Sequence, residues 1–115
     1  MLAKNHRFHG LGSLNYTYRK GIALRGQFYS LKVSKNLKKT YRISVVVSKK
    51  VTKSAPKRNR IRRRFYEACR LQADSFLTNQ DIIFTVYDEK ILNMPFDELS
   101  ESVKKHFSEI KNLQL

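Results

Sequence analysis

The sequence predicts a single α/β domain of the α+β type, a two-layer sandwich with the element order α-β-β-α-β-α. Segments with the alternating or continuously apolar pattern of strands lie between segments whose apolar residues recur at helical spacing. The chain has 115 residues and 41% hydrophobic content, which suffices for one modest core. Residues 1–12 are expected to form a flexible basic arm, and residues 13–115 the compact fold.

The arm contains two histidines, His6 and His9, at a spacing that metal ligands can use. No carboxylate or cysteine lies near them in the sequence, so nucleic-acid contact or plain solvent exposure is favoured over metal binding.

The first predicted helix covers residues 13–20. Ser13 is a suitable N-cap, and Gly21 is a suitable C-terminal stop. Leu14 and Tyr18 lie one turn apart on the same helical face. Their spacing fits two roles equally well, an apolar seam against the core or a stacking platform for unpaired bases.

Two strands are predicted at residues 27–34 and 41–48, joined by a basic turn at residues 35–39. We expect them to form an antiparallel hairpin. One face of the first strand carries Tyr29, Leu31 and Val33. The second face of the 41–48 strand has small and partly polar side chains, so a larger element is able to lie against it.

The stretch from Lys49 to Arg70 is the most cationic part of the chain and predicts a helix in its second half. Ser54 is a plausible N-cap, and Pro56 suits the first turn. Ile61, Phe65 and Ala68 recur at helical spacing, which leaves a surface that is almost entirely cationic. Because like charges at this density repel one another, a polyanion bound against the helix would stabilise it. Arginine suits nucleic-acid contact, since its planar group binds phosphate with two donors and stacks on bases.

Residues 81–88 are almost continuously apolar, which is typical of a strand covered on both faces. This strand follows a helix that itself follows a strand, so it should pair in parallel with the 41–48 strand. A last helix is predicted to start at Pro95, with acids in its first turns and an apolar stripe that packs on the sheet. His106 borders this stripe, and we assign it a structural role.

Charge is distributed unevenly along the chain. Residues 1–70 hold twenty Lys and Arg against Glu67 alone, a balance of +19, whereas residues 71–115 hold four Lys against eight acids, a balance of −4. The surface that meets nucleic acid is therefore expected within the first seventy residues. A protein-only nuclease is disfavoured, because metal-dependent phosphodiester cleavage uses clustered carboxylates.

Two other classes of nucleic-acid binder compete as interpretations. A ribosomal-type structural RNA binder explains the charge equally well but explains the arrangement of Ser-Lys-Lys followed by Arg-Asn-Arg less well. A DNA-binding architectural protein is disfavoured, because no second helix is predicted that would brace a recognition helix.

The single cysteine, Cys69, excludes an internal disulfide and fits a reducing compartment. It lies beside the apolar seam of the basic helix and is predicted to be a small buried hydrophobe rather than a reactive thiol. No signal peptide or long apolar run is found, so we expect a soluble cytoplasmic protein without membrane contact.

The segment Ser48-Lys49-Lys50-Val51, followed by Arg58-Asn59-Arg60-Ile61-Arg62-Arg63, resembles the signature of the bacterial ribonuclease P protein subunit. In that family a strand ending in Ser-Lys-Lys leads into a helix that bears Arg-Asn-Arg. The size, the charge asymmetry and the element order are also similar. The resemblance extends over most of the chain, from the basic arm to the last helix.

The resemblance implies that a catalytic RNA, assisted by Mg²⁺, removes the 5′ leader from precursor tRNA. The Mg²⁺ would bind through the RNA and not at a protein site. The protein would be the non-catalytic subunit of this endoribonuclease, with no active site of its own and no need for a protein oligomer. The family also has a left-handed crossover around its basic helix.

The resemblance also implies two groups of contact residues. Those facing the catalytic RNA are Lys49, Lys50, Arg58, Asn59, Arg60, Arg62 and Arg63. A cleft between the sheet and the first helix would hold the leader through Leu14, Tyr18, Tyr29 and Leu31. In this arrangement Tyr18 and Tyr29 stack on bases, and Lys32 or Arg19 lies near phosphate.

The sequence departs from the family pattern at three places. The link at residues 52–57 appears one residue longer than is usual before Arg-Asn-Arg. Tyr66 stands where the family typically has an arginine, so either Arg64 replaces that arginine as an RNA contact or Tyr66 stacks on a base in the cleft. Leu14 stands at a position that is aromatic in the family, which makes Tyr18 the main stacking platform.

Overall fold

The computed structural model describes residues 6, 11–38 and 40–113, with side chains of the first helix described from residue 16 onward. It confirms the α+β class. The elements in chain order are α1 (Leu11–Lys20), β1 (Ile22–Arg25), β2 (Tyr29–Lys35), β3 (Arg42–Val47), α2 (Ala55–Arg70), α3 (Ala73–Phe76), β4 (Gln80–Val86), a 3₁₀ helix (Glu89–Asn93) and α4 (Phe96–Asn112).

The four strands form one sheet with the order β1-β2-β4-β3. β3 and β4 pair in parallel, as predicted, with Ile43 opposite Ile82. The predicted antiparallel hairpin between the strands at 27–34 and 41–48 is wrong. β4 lies between them and pairs antiparallel with β2. The almost continuous burial of β4 explains this position, because its apolar side chains are covered on both faces only at the centre of the sheet.

Three short elements were not predicted. β1 is an edge strand of four residues that is mostly exposed, so it carries no clear alternation of apolar and polar side chains. α3 is a single turn within the connection after α2. The 3₁₀ helix begins after Asp88, whose carboxylate accepts a 2.9 Å hydrogen bond from the Lys90 N–H.

The core lies between one face of the sheet and helices α2 and α4. The Tyr29 ring makes edge contacts with Phe65 at 5.1 Å and with His106 at 5.6 Å between centroids. Tyr29 and Phe65 have no exposed surface. Burial of such side chains provides most of the favourable free energy of folding, since apolar area removed from water contributes about 25 cal/mol per Å².

Helix α1 lies against the opposite face of the sheet. The hydroxyl groups of Thr17 and Ser34 are both buried and form a 2.9 Å hydrogen bond between α1 and β2. Because side chains alternate along a strand, Ser34 faces away from its neighbour Val33, which is in the core. The small, partly polar face of the sheet is thus covered in part by a helix.

The two ends of α1 compare differently with the prediction. The helix begins at Leu11, so the predicted N-cap Ser13 lies inside it. Gly21 does end it, and the Gly21 N–H donates a 2.8 Å hydrogen bond to the Thr17 carbonyl. Most of the predicted arm at residues 1–12, including His9, lies outside the described residues.

His6 is described and lies on the start of β3. Its ring stacks on Tyr41 with 4.0 Å between centroids, and its Nδ1 is 3.0 Å from both the Tyr41 carbonyl and the Thr40 hydroxyl. Within the described part of the chain, no group of three or more His, Cys, Asp or Glu is arranged to hold a metal ion.

None of the helices in the described ranges combines the length and the apolar character that crossing a membrane requires.

Candidate nucleic-acid interface

Helix α2 is held by the apolar seam that its sequence predicts. Ile61, Phe65, Ala68 and Cys69 are completely buried. Burial raises the pKa of the Cys69 thiol, so this cysteine is a buried hydrophobe as expected. The helix begins after Ser54, whose hydroxyl accepts a hydrogen bond from the Lys57 N–H, and Pro56 lies in the first turn.

The link between β3 and α2 is a compact turn joined to the helix by one arginine. The Arg58 Nη1 donates a 2.9 Å hydrogen bond to the Thr52 carbonyl, and the Ser54 N–H donates to the Thr52 hydroxyl at 3.2 Å. The Val51 N–H closes an earlier turn on the Ser48 carbonyl. Arg58 therefore orients the link that carries the neighbouring lysines.

Five exposed cations lie on the link before α2 and along the helix up to its ninth residue, and we call them the basic face: Lys49, Lys50, Lys53, Arg60 and Arg63. None of their side chains forms a hydrogen bond or ion pair with another residue in the described ranges. The first turn of α2 contains no acid, so no residue of that turn compensates the positive end of the helix dipole. The basic face thus combines unpaired charge with a helix N-terminus, an arrangement that binds anions.

Other polar residues of α2 have partners. Arg62 donates a 2.8 Å hydrogen bond to the Asn59 side chain, and Lys57 forms a 2.9 Å ion pair with Glu89. Arg70 forms an ion pair with Glu67. The hydrogen bond from Arg70 is the main reason why the pKa of the Glu67 carboxyl is lowered to about 2. Arg62 and Asn59 are close enough to act together on one phosphate.

Arg64 is not placed as an RNA contact. Its Nη1 donates 2.9 Å hydrogen bonds to the carbonyls of Ile91 and Leu92, and its Nη2 donates to the Met94 carbonyl. These bonds tie α2 to the 3₁₀ helix and to the residues just before α4. Arg64 therefore has a structural role in the fold, and its predicted contact with RNA stays a prediction.

On the other face of the sheet, α1 presents two tyrosines to solvent. Tyr16 is 51% exposed and Tyr18 is 37% exposed. The Lys32 ammonium donates a 3.0 Å hydrogen bond to the Tyr18 carbonyl, which fixes the end of the helix over β2. Tyr18 is therefore accessible, and its stacking on a base stays a prediction.

A groove of about 500 Å³ lies next to Tyr16. It is lined by Tyr16, Lys35, Asn36, Leu37, Lys38, Arg42 and Asp81. Its floor is a polar network in which Asp81 accepts from both Arg42, at 2.7 Å and 2.9 Å, and the Asn36 amide, at 2.7 Å. The groove combines an aromatic ring with cations, which suits a single-stranded nucleic acid.

The remaining residues predicted for the cleft are not at an accessible surface. Tyr29 and Leu31 have no exposed surface and lie on the core face of β2, opposite to α1. Burial raises the pKa of Tyr29 to about 12, and its hydroxyl bonds to Ser102 at 2.5 Å. Tyr66 is only 8% exposed and belongs to the core cluster. The side chain of Leu14 lies outside the described residues.

Comparison with known proteins decides the family. The sequence model of the family described as Ribonuclease P matches residues 2–111. The chain belongs to the ribonuclease P protein family. Proteins of this family are components of a tRNA-processing enzyme.

Relatives in the ribonuclease P protein family extend over nearly the whole chain. A ribonuclease P protein component from Pseudanabaena sp. is 32% identical, covering 98% of this chain and 97% of its own. The corresponding component from Prochlorococcus marinus is 27% identical, covering 97% of this chain and 92% of its own.

Solved structures of ribonuclease P proteins share the fold. The Thermotoga maritima protein superposes with a TM-score of 0.80 at 19% identity, covering 90% of this chain and 96% of its own. The Staphylococcus aureus protein superposes with a TM-score of 0.76 at 23% identity, covering 91% of this chain and 94% of its own.

The groove beside α1 includes residues that sequence reasoning did not assign to a site. Tyr16 lies two positions before Tyr18 in the same aromatic and basic segment, and Lys35 and Lys38 belong to the basic turn after β2. The segment composition was therefore a usable signal for these three. Arg42 gave none, because its place beside Asp81 depends on the pairing of β3 with β4.

Proposed function

We propose that this chain is the protein subunit of a ribonuclease P ribonucleoprotein, in which it binds the catalytic RNA and the 5′ leader of precursor tRNA. The RNA performs the cleavage. The observation that carries the proposal is the basic face, five exposed cations whose side chains have no partner among the described residues, on the link before α2 and on the helix itself.

The basic face, together with Asn59 and Arg62, is proposed to contact phosphates of the catalytic RNA. Lysine and arginine that neutralise phosphates release bound counterions, so the affinity should fall steeply as salt rises. Bound phosphate would also relieve the repulsion among the cations of α2 and interact favourably with its positive helix end. Arg58 acts indirectly, because its hydrogen bond to Thr52 shapes the link that carries Lys49 and Lys50.

The leader is proposed to lie along α1 on the opposite face of the sheet. Tyr18 and Tyr16 are exposed and available to stack on unpaired bases, and the groove beside Tyr16 supplies Lys35 and Lys38 for phosphate. Stacking tolerates any base sequence, since every base has an aromatic face. This assignment keeps Tyr18 from the sequence-based set and replaces the buried Tyr29 and Leu31.

Mg²⁺ is proposed to act through the RNA. The acids that border the basic face do not fit a magnesium site, because Glu67 pairs with Arg70 and Glu89 pairs with Lys57. Mg²⁺ prefers carboxylate and phosphate oxygens in an octahedral arrangement, which the RNA phosphates supply. The protein would lower the Mg²⁺ requirement by reducing repulsion between the two RNAs. The proposal places the chain in the cytoplasm with its RNA and requires no second protein copy.

The test combines the purified chain with a bacterial ribonuclease P RNA and a precursor tRNA, at a Mg²⁺ concentration too low for the RNA alone. Release of the 5′ leader is measured in the mixture, in the RNA alone and in the chain alone. We expect release only when the chain and the RNA are both present.

Two outcomes would contradict this proposal. Release by the chain alone would locate a nuclease site in the protein. No release in any tube, with tight RNA binding retained, would indicate a structural RNA binder without a role in processing.

A further inference from the structure

A groove of about 560 Å³ separates α2 from the first residue of α4. It is lined by Arg60, Arg63, Arg64, Glu67 and Phe96. Its volume is within the range of about 300–1,000 Å³ that is usual for small-molecule sites. Phe96 packs partly against the core and is half-buried, so the rest of its ring faces the groove. The Phe96 ring among arginines suits a ligand that is both flat and anionic.

One wall of the groove is fixed in advance. Arg64 is held by the carbonyls of Ile91, Leu92 and Met94, and these are the residues that lead into α4. The distance between α2 and Phe96 is therefore set by hydrogen bonds within the fold. A preformed groove loses little conformational entropy when a ligand enters.

Both signs of charge line the groove. Arg60 and Arg63 are exposed and have no hydrogen-bond or ion-pair partner within the described part of the chain. Glu67, which accepts from Arg70, contributes a carboxylate whose pKa is lowered to about 2, so it is ionised at neutral pH. The two arginines attract a phosphate, and the exposed part of the Phe96 ring offers a surface on which a base can stack.

We propose that this groove binds one unpaired nucleotide of the RNA that contacts the basic face, with its base stacked on Phe96 and its phosphate held by Arg60 and Arg63. The inference rests on the proposed function and deepens it, because it adds the capture of a base to phosphate contacts that any RNA would satisfy. A nucleotide in a paired helix cannot enter, so the groove selects an RNA with an unpaired position at this place.

The chain contains no tryptophan, which allows a single fluorescent reporter to be introduced. The test variant is Phe96→Trp, and the matched control is Phe76→Trp. Phe76 is also a half-buried phenylalanine packed on the core, but its ring lies 5.9 Å from the Lys111 ammonium at the other end of α4. The two reporters are separated by about 20 Å along that helix, at 1.5 Å per residue.

Each variant is titrated with a bacterial ribonuclease P RNA and, separately, with adenosine monophosphate, while RNA binding is followed by a gel shift. We expect the RNA to quench the reporter at 96 and to leave the reporter at 76 unchanged. Quenching by adenosine monophosphate as well would support the groove as a nucleotide site, whereas quenching by the mononucleotide and not by the RNA would overturn the RNA as its source.

A second variant covers the case in which tryptophan disturbs the fold. Phe96→Leu keeps an apolar side chain but removes the stacking surface, and Phe76→Leu is its control. We expect Phe96→Leu to weaken RNA binding by about 5- to 150-fold, the range for loss of one stacked base, with no change in the slope of log affinity against log salt.

Failure of this inference is distinguishable from failure of the proposed function. If the RNA binds tightly but neither quenches the reporter at 96 nor loses affinity for Phe96→Leu, the groove proposal is overturned and the proposed function stands. If the unaltered chain does not bind the RNA at all, both are overturned.

Discussion

Arg42 and Asp81 form a two-point ion pair between the parallel strands β3 and β4, with Nε–Oδ1 at 2.9 Å and Nη2–Oδ2 at 2.7 Å. The Asp81 side chain is only 6% exposed, and it also accepts from the Asn36 amide. This carboxylate therefore joins the turn after β2 to the edge strand β3. It fixes the floor of the groove beside Tyr16.

Asp81→Asn should lower the free energy of unfolding by about 3 kcal/mol, because it leaves the Arg42 charge poorly paired in a mostly buried place. Chemical denaturation of the two proteins measures the difference. The matched control is Glu89→Gln, which breaks the exposed ion pair with Lys57 and should cost no more than about 1 kcal/mol. Equal losses in the two variants would contradict a structural role for the buried pair.

Arg63 and Arg64 are neighbours with different surroundings, since the Arg63 side chain is exposed and Arg64 donates to three carbonyls. Their glutamine variants should therefore fail in different ways. Arg63→Gln should reduce the slope of log affinity against log salt by about 0.7–0.9, with no loss of stability. Arg64→Gln should keep that slope but lower the free energy of unfolding by roughly 1–3 kcal/mol, since three carbonyls lose a charged donor. RNA titrations at several salt concentrations, paired with denaturation curves, test both statements. A lower slope of log affinity against log salt for Arg64→Gln would indicate that Arg64 also contacts RNA phosphate.

Tyr18→Leu should weaken the binding of precursor tRNA by the assembled ribonucleoprotein by about 5- to 150-fold, which corresponds to about 1–3 kcal/mol for one stacked base. Its attachment to the catalytic RNA should be unchanged, because α1 and α2 lie on opposite faces of the sheet. The control is Tyr87→Leu, another exposed tyrosine, whose hydroxyl bonds to the Gly26 carbonyl. Equal weakening of both binding steps would argue against a leader site on α1.

His106 should make the stability of the fold depend on pH. Burial lowers its pKa below the unfolded value of 6.5, with Glu109 opposing this effect and Lys105 adding to it. Its Nδ1 is buried and has no hydrogen-bond partner in the described structure, so a proton added there would lie beside the Tyr29 ring without an acceptor.

Below about pH 6.5 the unfolded chain binds a proton that the folded chain does not. The contribution of neutral His106 to the free energy of unfolding is therefore fully present above this pH. It is lost as the pH falls toward the lower pKa that His106 has in the folded protein. Denaturation curves between about pH 5 and pH 8 should show this loss, and His106→Leu should reduce it. A parent protein equally stable across that range would disprove the effect.

The sequence predicted those parts of the structure that depend on local pattern. The apolar seam of α2, its Ser54 cap and the Gly21 stop of α1 follow from helical spacing and from the geometry of single residues. The parallel pairing of β3 with β4 followed from the helix between them. The charge asymmetry predicted a nucleic-acid surface within the first seventy residues. All five cations of the basic face lie in that part of the chain, and the contact itself stays a prediction.

The errors concern which elements meet in space. Alternation assigned Tyr29 and Leu31 to one face of β2 correctly, but it did not show that α2 and α4 would cover this face while α1 covered the other. The face of the sheet that carries Tyr29 and Leu31 is the more apolar one, and it packs against α2 and α4, which have the larger apolar stripes. The structural role of Arg64 was missed for a related reason, because its acceptors are backbone carbonyls that carry no signal in the sequence.

The central position of β4 determines when the protein can fold during its synthesis. β2 and β3 do not pair with each other. Lys35 of β2 pairs with Gln80 of β4, which lies 45 positions further along the chain. Pairing over such separations is slow, because the intervening loop must close first. Until residue 86 leaves the ribosome, the segment that carries a balance of +19 emerges without its sheet, next to ribosomal RNA. Completion of the sheet is thus the step that converts a nascent polycation, attracted to any RNA, into a surface with a defined shape.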